Sequence, residues 1–219
     1  FAPLAKRIHG VKGIFEAHKK AAEQSKTSHF YVVDADAIIE EEFTFKFTPS
    51  KFKEAYQNTP ESDCVFTWRS RNPINDLIYG YGAVKLFPKK PFLALNDWSV
   101  DMTTSIGCPF VPKFQISNVT AFNTDPFNTF KSAFRECTKL ASKVIDKQKD
   151  AETEQRLNIW CSVGSDRGFG EYAIAGAIAG REYGEANKNL SLIHISEPTR
   201  LLSSGFAGVG LKKKKGGGG

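Results

Sequence analysis

Apolar and polar residues change period repeatedly along the chain, and each change marks an element. Residues 13–24 place Ile14, Phe15, Ala17, Ala21 and Ala22 near helical spacing, with Glu16, Lys19, Lys20 and Glu23 between them, which predicts an amphipathic helix. His29-Phe30-Tyr31-Val32-Val33 is too short for a helix and rich in β-branched and aromatic residues. It predicts a buried strand that ends abruptly at Asp34-Ala35-Asp36. The strict alternation of Phe43-Thr44-Phe45-Lys46-Phe47 predicts a half-exposed strand, and residues 51–56, between Pro49 and Pro60, a short helix. A second buried strand is predicted over 63–68, hairpin strands within 77–88, and an edge strand over 111–121 on account of Pro112. Met102 begins a possible short helix. Asp125 before Pro126 opens a helix whose apolar face carries Phe127, Phe130, Phe134, Leu140, Val144 and Ile145 as far as about residue 149. Two more helices follow over 151–163 and 169–183, the second rich in Ala and Gly and suited to close packing. This is an α/β plan, a mixed sheet flanked by helices, with a ligand crevice at the carboxyl ends of its strands.

The end of the chain does not belong to that plan. Residues 190–200, Leu-Ser-Leu-Ile-His-Ile-Ser-Glu-Pro-Thr-Arg, resemble the translation of a sequencing-library adapter, and the lysines 212–215 and glycines 216–219 follow as poly-A and poly-G would encode them. Residues 190–219 are therefore set aside as a non-native tail, expected to be disordered, and residues 1–189 are read as one domain. The whole chain carries a formal charge of +6, but the tail holds five of its positive residues and one negative one, leaving the body only +2. Nucleic-acid binding thus needs a local basic patch, because global charge does not supply one.

The four cysteines, Cys64, Cys108, Cys137 and Cys161, form no C-x-x-C pair and read as reduced, mostly buried thiols. No signal peptide or membrane-spanning run is legible, which makes the cytoplasm the expected location.

The candidate chemistry begins with Asp34 and Asp36. Alternation along an extended chain would put both carboxylates on one side, where they could share a hard divalent cation. Arg7 and Lys12 precede or open the first helix, where cations and free backbone N–H groups can hold a diphosphate. Trp68, Tyr79 and Tyr81 offer flat faces for a base or sugar, and Gly80 and Gly82 allow close backbone approach. Arg69 and Arg71 could clamp phosphates or be a solvated strand end, and Asn72 and Asp76 lie in the same polar segment, residues 69–76. Asp97 and Asp101 are candidates for a base that deprotonates an acceptor hydroxyl, or for helix caps. Asp166 and Arg167 are the only such residues in the last helical pair.

An apolar strand ending in D-x-D, preceded by the helix over 13–24, resembles the GT-A glycosyltransferases. More narrowly, Tyr31-Val32-Val33-Asp34-Ala35-Asp36, Asn72-Pro73-Ile74-Asn75-Asp76, Tyr79-Gly80-Tyr81-Gly82, Asp101-Met102-Thr103-Thr104-Ser105 and residues 118–124 are similar to phage and metagenomic TET-associated glycosyltransferases. The resemblance covers most of residues 1–189. It implies a Rossmann-related GT-A fold, with Asp34 and Asp36 holding Mn²⁺ or Mg²⁺ on a nucleotide-sugar diphosphate. Arg7 and Lys12 would assist at the donor, and Asp101 or Asp97 would serve as base. Trp68, Arg69, Arg71, Asn72, Asp76, Tyr79, Gly80, Tyr81 and Gly82 would meet the acceptor, a hydroxymethylated pyrimidine in phage DNA. In that family a nucleotide-binding strand would precede residue 1 and a further metal ligand would follow residue 189, so the chain is expected to be truncated at both ends. Transfer to a glycan, lipid or protein, nucleotidyl transfer, and a non-catalytic remnant of the fold are the alternatives.

Overall fold

The structure, a computed structural model, describes residues 5–80, 82–95, 106–143 and 150–188. The chain is mixed α/β and divides into two compact units, Phe1–Ala121 and Phe122–Gly219. The short helix expected to begin at Met102 and the adapter-like tail lie outside the described residues.

The first unit carries a mixed sheet. Helix α1 (Ile14–Gln24) leads into β1 (His29–Val33), and β2 (Ala37–Ile39) follows after a turn. A small antiparallel pair, β3 (Glu54–Tyr56) and β4 (Thr59–Pro60), stands apart. The sheet is completed by β5 (Val65–Arg71), β6 (Ile78–Tyr79), β7 (Val84–Pro88) and β8 (Phe110–Thr120), with α2 (Lys89–Ala94) between the last two. The strand order is β1-β7-β5-β8-β2, with β6 paired to the end of β5. The β5–β8 pair is parallel and the others antiparallel.

Side chains leave this sheet with a period of two. Phe30 of β1, Val65 of β5 and Phe87 of β7 join Ala22 of α1 and Phe92 of α2 in one buried cluster. The neighbouring Tyr31, Phe66, Trp68, Val84 and Leu86 point the other way, into a cluster with Phe43, Phe45 and Phe47. Helices thus cover one face and a phenylalanine-rich segment covers the other. That segment was expected to be a strand and is not one. Its alternation is real, with Phe43 buried and Thr44 and Lys46 exposed, but its rings dock onto the sheet while its backbone stays off the ladder. The short helix expected at 51–56 is also corrected. Residues 54–56 form β3, closed to β4 by a turn at Gln57 and Asn58, both with positive φ.

The sheet is strongly curled. The two end strands of its path, β1 and β2, are joined by residues 34–36 alone. That link spans at most ~14 Å from Val33 to Ala37, whereas the end strands of a flat five-strand path would lie ~19 Å apart. Register irregularities between Trp68 and Ser70 on β5, opposite residues 113–118 of β8, supply local bending. Tyr31 and Ile39, from opposite ends of the path, both pack on the Phe66–Trp68 cluster, so the curl closes over that face. Near Pro112, β8 has β5 as its partner, and its last residues, Asn118 to Thr120, gain β2 as well. The missing amide of Pro112 therefore falls where the strand has a neighbour on one side.

The second unit is helical in its described residues: α3 (Pro126–Ala141), α4 (Asp150–Ser162) and α5 (Gly170–Ala186). As predicted, Asp125 caps α3, accepting the Asn128 amide at 2.8 Å, with Pro126 in the first turn. α5 lays Gly176, Gly180 and Gly184 against the α3 backbone, and the Thr138 hydroxyl donates to Gly180 O at 3.1 Å. All four cysteines are free thiols, Cys64 and Cys137 buried.

Candidate functional site

β1, expected to be a buried strand, is an end strand of the sheet's path with only Phe30 buried and Val33 exposed, and its carboxyl end delivers Asp34 to the rim. The Asp34 amide donates to Ala83 O at 2.8 Å, continuing the β1–β7 ladder by one residue. The chain then turns, with Ala37 N donating to Asp34 O at 3.1 Å, and Ala121 N, just past β8, donates to Asp36 O at 2.7 Å. The two acids therefore do not alternate along a strand, as expected, but lie in a turn that reverses the chain from β1 into β2. Asp suits the opening position of such a turn. The turn is pinned at one end to the start of β7 and at the other to the end of β8.

A cation not singled out in the sequence completes the group. Lys85 of β7 is buried, its side chain 10% exposed, and its ammonium lies 3.5 Å from Asp34 Oδ2, whose side chain is 41% exposed. The same ammonium donates to Gly82 O. Burial raises the Asp34 carboxyl above its ordinary range, Lys85 opposes this, and the nearby charge of Asp36 raises it again. His18 of α1 is 5% exposed, packs on Phe87 and Phe92, and donates from Nδ1 to Ile14 O at 2.8 Å. Burial pulls its pKa down, the backbone bond raises it, and Lys85 and Asp34 act on it in opposite senses. The sequence held one signal for each residue: a lysine inside the apolar run Ala83-Val84-Lys85-Leu86-Phe87, and a histidine on the apolar face of α1.

The remaining candidates separate. Gly80 has a φ of 81°, a conformation open to glycine, and an added Cβ at Gly80 or Gly82 would meet nothing within 4 Å, so there is room beside the turn. Tyr79 is half-buried and paired with Ser70 across the β5–β6 hairpin, which leads through residues 80–83 to Asp34. Trp68 is 2% exposed and packed by Tyr31, Phe43 and Phe47, so its ring is core and not a stacking platform. Asn72 is likewise structural, its Oδ1 accepting the Ile74 and Asn75 amides at 2.8 and 3.3 Å within the loop that Asp76 closes with a positive φ. Arg71 pairs with Glu40 at 3.3 Å, and Arg69 lies over the ring of Phe114, itself 73% exposed, at 4.8 Å. Arg7 and Lys12 are exposed in the segment before α1, and Asp34 takes its ion pair from Lys85. Asp97, Asp101 and Tyr81 lie outside the described residues. Asp166 and Arg167 belong to the second unit, where Arg167 N donates to Gly164 O in the turn before α5.

Where β5 pairs with β8 there is a buried polar network. Asn118, fully buried, accepts the Ser70 hydroxyl at 3.0 Å and donates to Thr120 Oγ1 at 3.2 Å, and Ser117 Oγ stands 2.8 Å from Asn118 Oδ1.

Among the described residues, no group of three or more His, Cys, Asp or Glu side chains gathers as a metal cage. Two carboxylates nonetheless suit Mg²⁺ or Mn²⁺ of the kind completed by substrate phosphates and water, since such ions are commonly held by one or two protein carboxylates. Among the described residues no helix is long and apolar enough to cross a membrane. Comparison with protein-family models, curated proteins and solved structures finds no match.

Proposed function

We propose that the chain is a metal-dependent glycosyltransferase of GT-A type, moving a sugar from a nucleotide-sugar donor to a hydroxyl acceptor. The observation that carries this reading is the acidic turn at the carboxyl end of β1, which holds Asp34, paired with the buried Lys85, and Asp36, with open space at Gly80 and Gly82. Asp34 and Asp36 would hold Mn²⁺ or Mg²⁺, which when bound supplies positive charge to the departing diphosphate. Lys85 adds a second positive charge at the same rim, and the ladder bond from Asp34 N to Ala83 O fixes the first acid's backbone before any ligand arrives.

The resemblance of residues 31–36, 72–76 and 79–82 to TET-associated glycosyltransferases favours a hydroxymethylated pyrimidine in DNA as acceptor. An enzyme working on a base must take it out of the stack. The exposed Phe114 ring with Arg69 against it combines stacking surface and positive charge, as single-strand binders do.

The test is calorimetry of the full chain with Mn²⁺ and a panel of nucleoside diphosphates. One of these should bind in a metal-dependent manner, and Asp34→Ala and Asp36→Ala should each weaken that binding at least ~10-fold. Binding that ignores the metal, or survives both substitutions unchanged, removes the enzyme reading.

A further inference from the structure

Lys85 poses a problem that the fold alone does not answer. Its cross-strand neighbours are Val32 and Thr67, Phe87 lies two residues on along the same face, and a methionine of similar length would pack there without charge. A buried ion pair is seldom more stabilising than the apolar side chains it replaces. The pair is also incomplete: at 3.5 Å the contact is loose, and the carboxylate of Asp34 is 41% exposed, free to take another partner from the solvent side. The Lys85 ammonium has a second anchor on Gly82 O, beside a glycine whose missing side chain leaves open space. It sits at the end of a flexible four-carbon stem, so it can leave Asp34 without any movement of β7.

We propose that Lys85 is the exchangeable counter-ion of this site: it holds Asp34 in the ligand-free protein and passes to the diphosphate when a divalent cation takes Asp34. This rests on the glycosyltransferase reading and deepens it. A divalent cation and an ammonium repel one another at one carboxylate, so metal alone binds against the cost of displacing Lys85. A diphosphate gives the displaced ammonium a new partner. Metal and nucleotide therefore favour each other's binding, and by linkage the factor is the same in both directions.

Mn²⁺ binding is read from the electron paramagnetic resonance signal of the free ion, with and without the nucleoside diphosphate that calorimetry selects, in wild type, Lys85→Met and Lys85→Arg. In wild type the nucleotide should tighten Mn²⁺ binding by roughly 5- to 150-fold. Lys85→Met should bind Mn²⁺ alone more tightly than wild type and lose most of that coupling, while Lys85→Arg keeps it. Wild-type coupling in Lys85→Met, or Mn²⁺ alone bound no more tightly, overturns the inference while leaving the enzyme reading intact. Wild type that binds no Mn²⁺ with any nucleotide overturns both. Should Lys85→Met fail to fold, acetylation of wild-type Lys85 followed by mass spectrometry decides: slow in the free protein, faster with Mn²⁺ alone, protected with Mn²⁺ and nucleotide together. Labelling that ignores the ligands overturns the exchange.

Discussion

Tyr31 shows how one polar group is accommodated in an aromatic interior. Its ring packs against Phe45 and Trp68, and its hydroxyl donates to Phe47 O at 3.2 Å, tying the phenylalanine segment to β1. Burial pushes its pKa from the ordinary 10.0 up to about 12, against the smaller effect of the Phe47 bond. Between those two values the unfolded chain has released the phenolic proton while the folded protein retains it. Stability is therefore complete below pH 10 and falls as pH rises toward about 12. Urea midpoints at rising pH should decline over this window in wild type, with a smaller decline in Tyr31→Phe. The same substitution should cost about 1 kcal/mol at neutral pH through the lost hydrogen bond. At this scale the sequence was uneven. Asp34 and Asp36 stood out because an apolar run ends on them. Lys85 and His18 were not, because a polar residue's burial is decided by what packs above it. Trp68 and Asn72 were misread for the converse reason: a ring or amide able to bind a ligand is equally able to fill a core or close a loop.

At the scale of elements, the packing of α5 on α3 rests on absent side chains. A Cβ on Gly176 would stand 2.3 Å from Phe130 O, and one on Gly180 2.3 Å from Phe134 O, both backbone atoms with little freedom to retreat. Alanine is the better helix former by about 1 kcal/mol, yet forced overpacking typically costs about 1–3 kcal/mol. Two backbone clashes place these sites at the upper end. Gly176→Ala and Gly180→Ala should each lower the thermal midpoint, whereas exposed Gly168→Ala, with nothing within 4 Å, should not. Differential scanning calorimetry distinguishes the three. The Ala- and Gly-rich composition pointed to this close packing, and Asp125-Pro126 marked where α3 begins. The segment 43–47 escaped because periodicity records which side chains are buried and not whether the backbone has a ladder partner. Residues 51–56 escaped because the positive-φ turn at Gln57 and Asn58 lacks the glycine that usually announces it.

For the molecule as a whole, charge limits how an acceptor is held. A body carrying +2 over residues 1–189 has no broad field for a polyanion, so phosphate contacts must come from a few local cations such as Arg69. Affinity for hydroxymethylated single-stranded DNA should then fall with salt at a shallow slope, about 0.7 per phosphate neutralised on a log–log plot. Fluorescence anisotropy across salt concentrations would measure it. No salt dependence would move the acceptor from DNA to a neutral glycan. The α/β class was readable from the alternation of helical and strand periods, whereas the curl of the sheet was not, since nothing local to residues 34–36 states which strands they join.

That curl has an evolutionary corollary. Surface connections usually tolerate added residues at little thermodynamic cost, but the acidic turn is the strap that draws two sheet margins together. One extra residue there would loosen the strap and rotate one acid away from the other, so fold closure and ligand grip would be lost in a single step. Lineages carrying this architecture should therefore vary in length nearly everywhere before they vary between Val33 and Ala37.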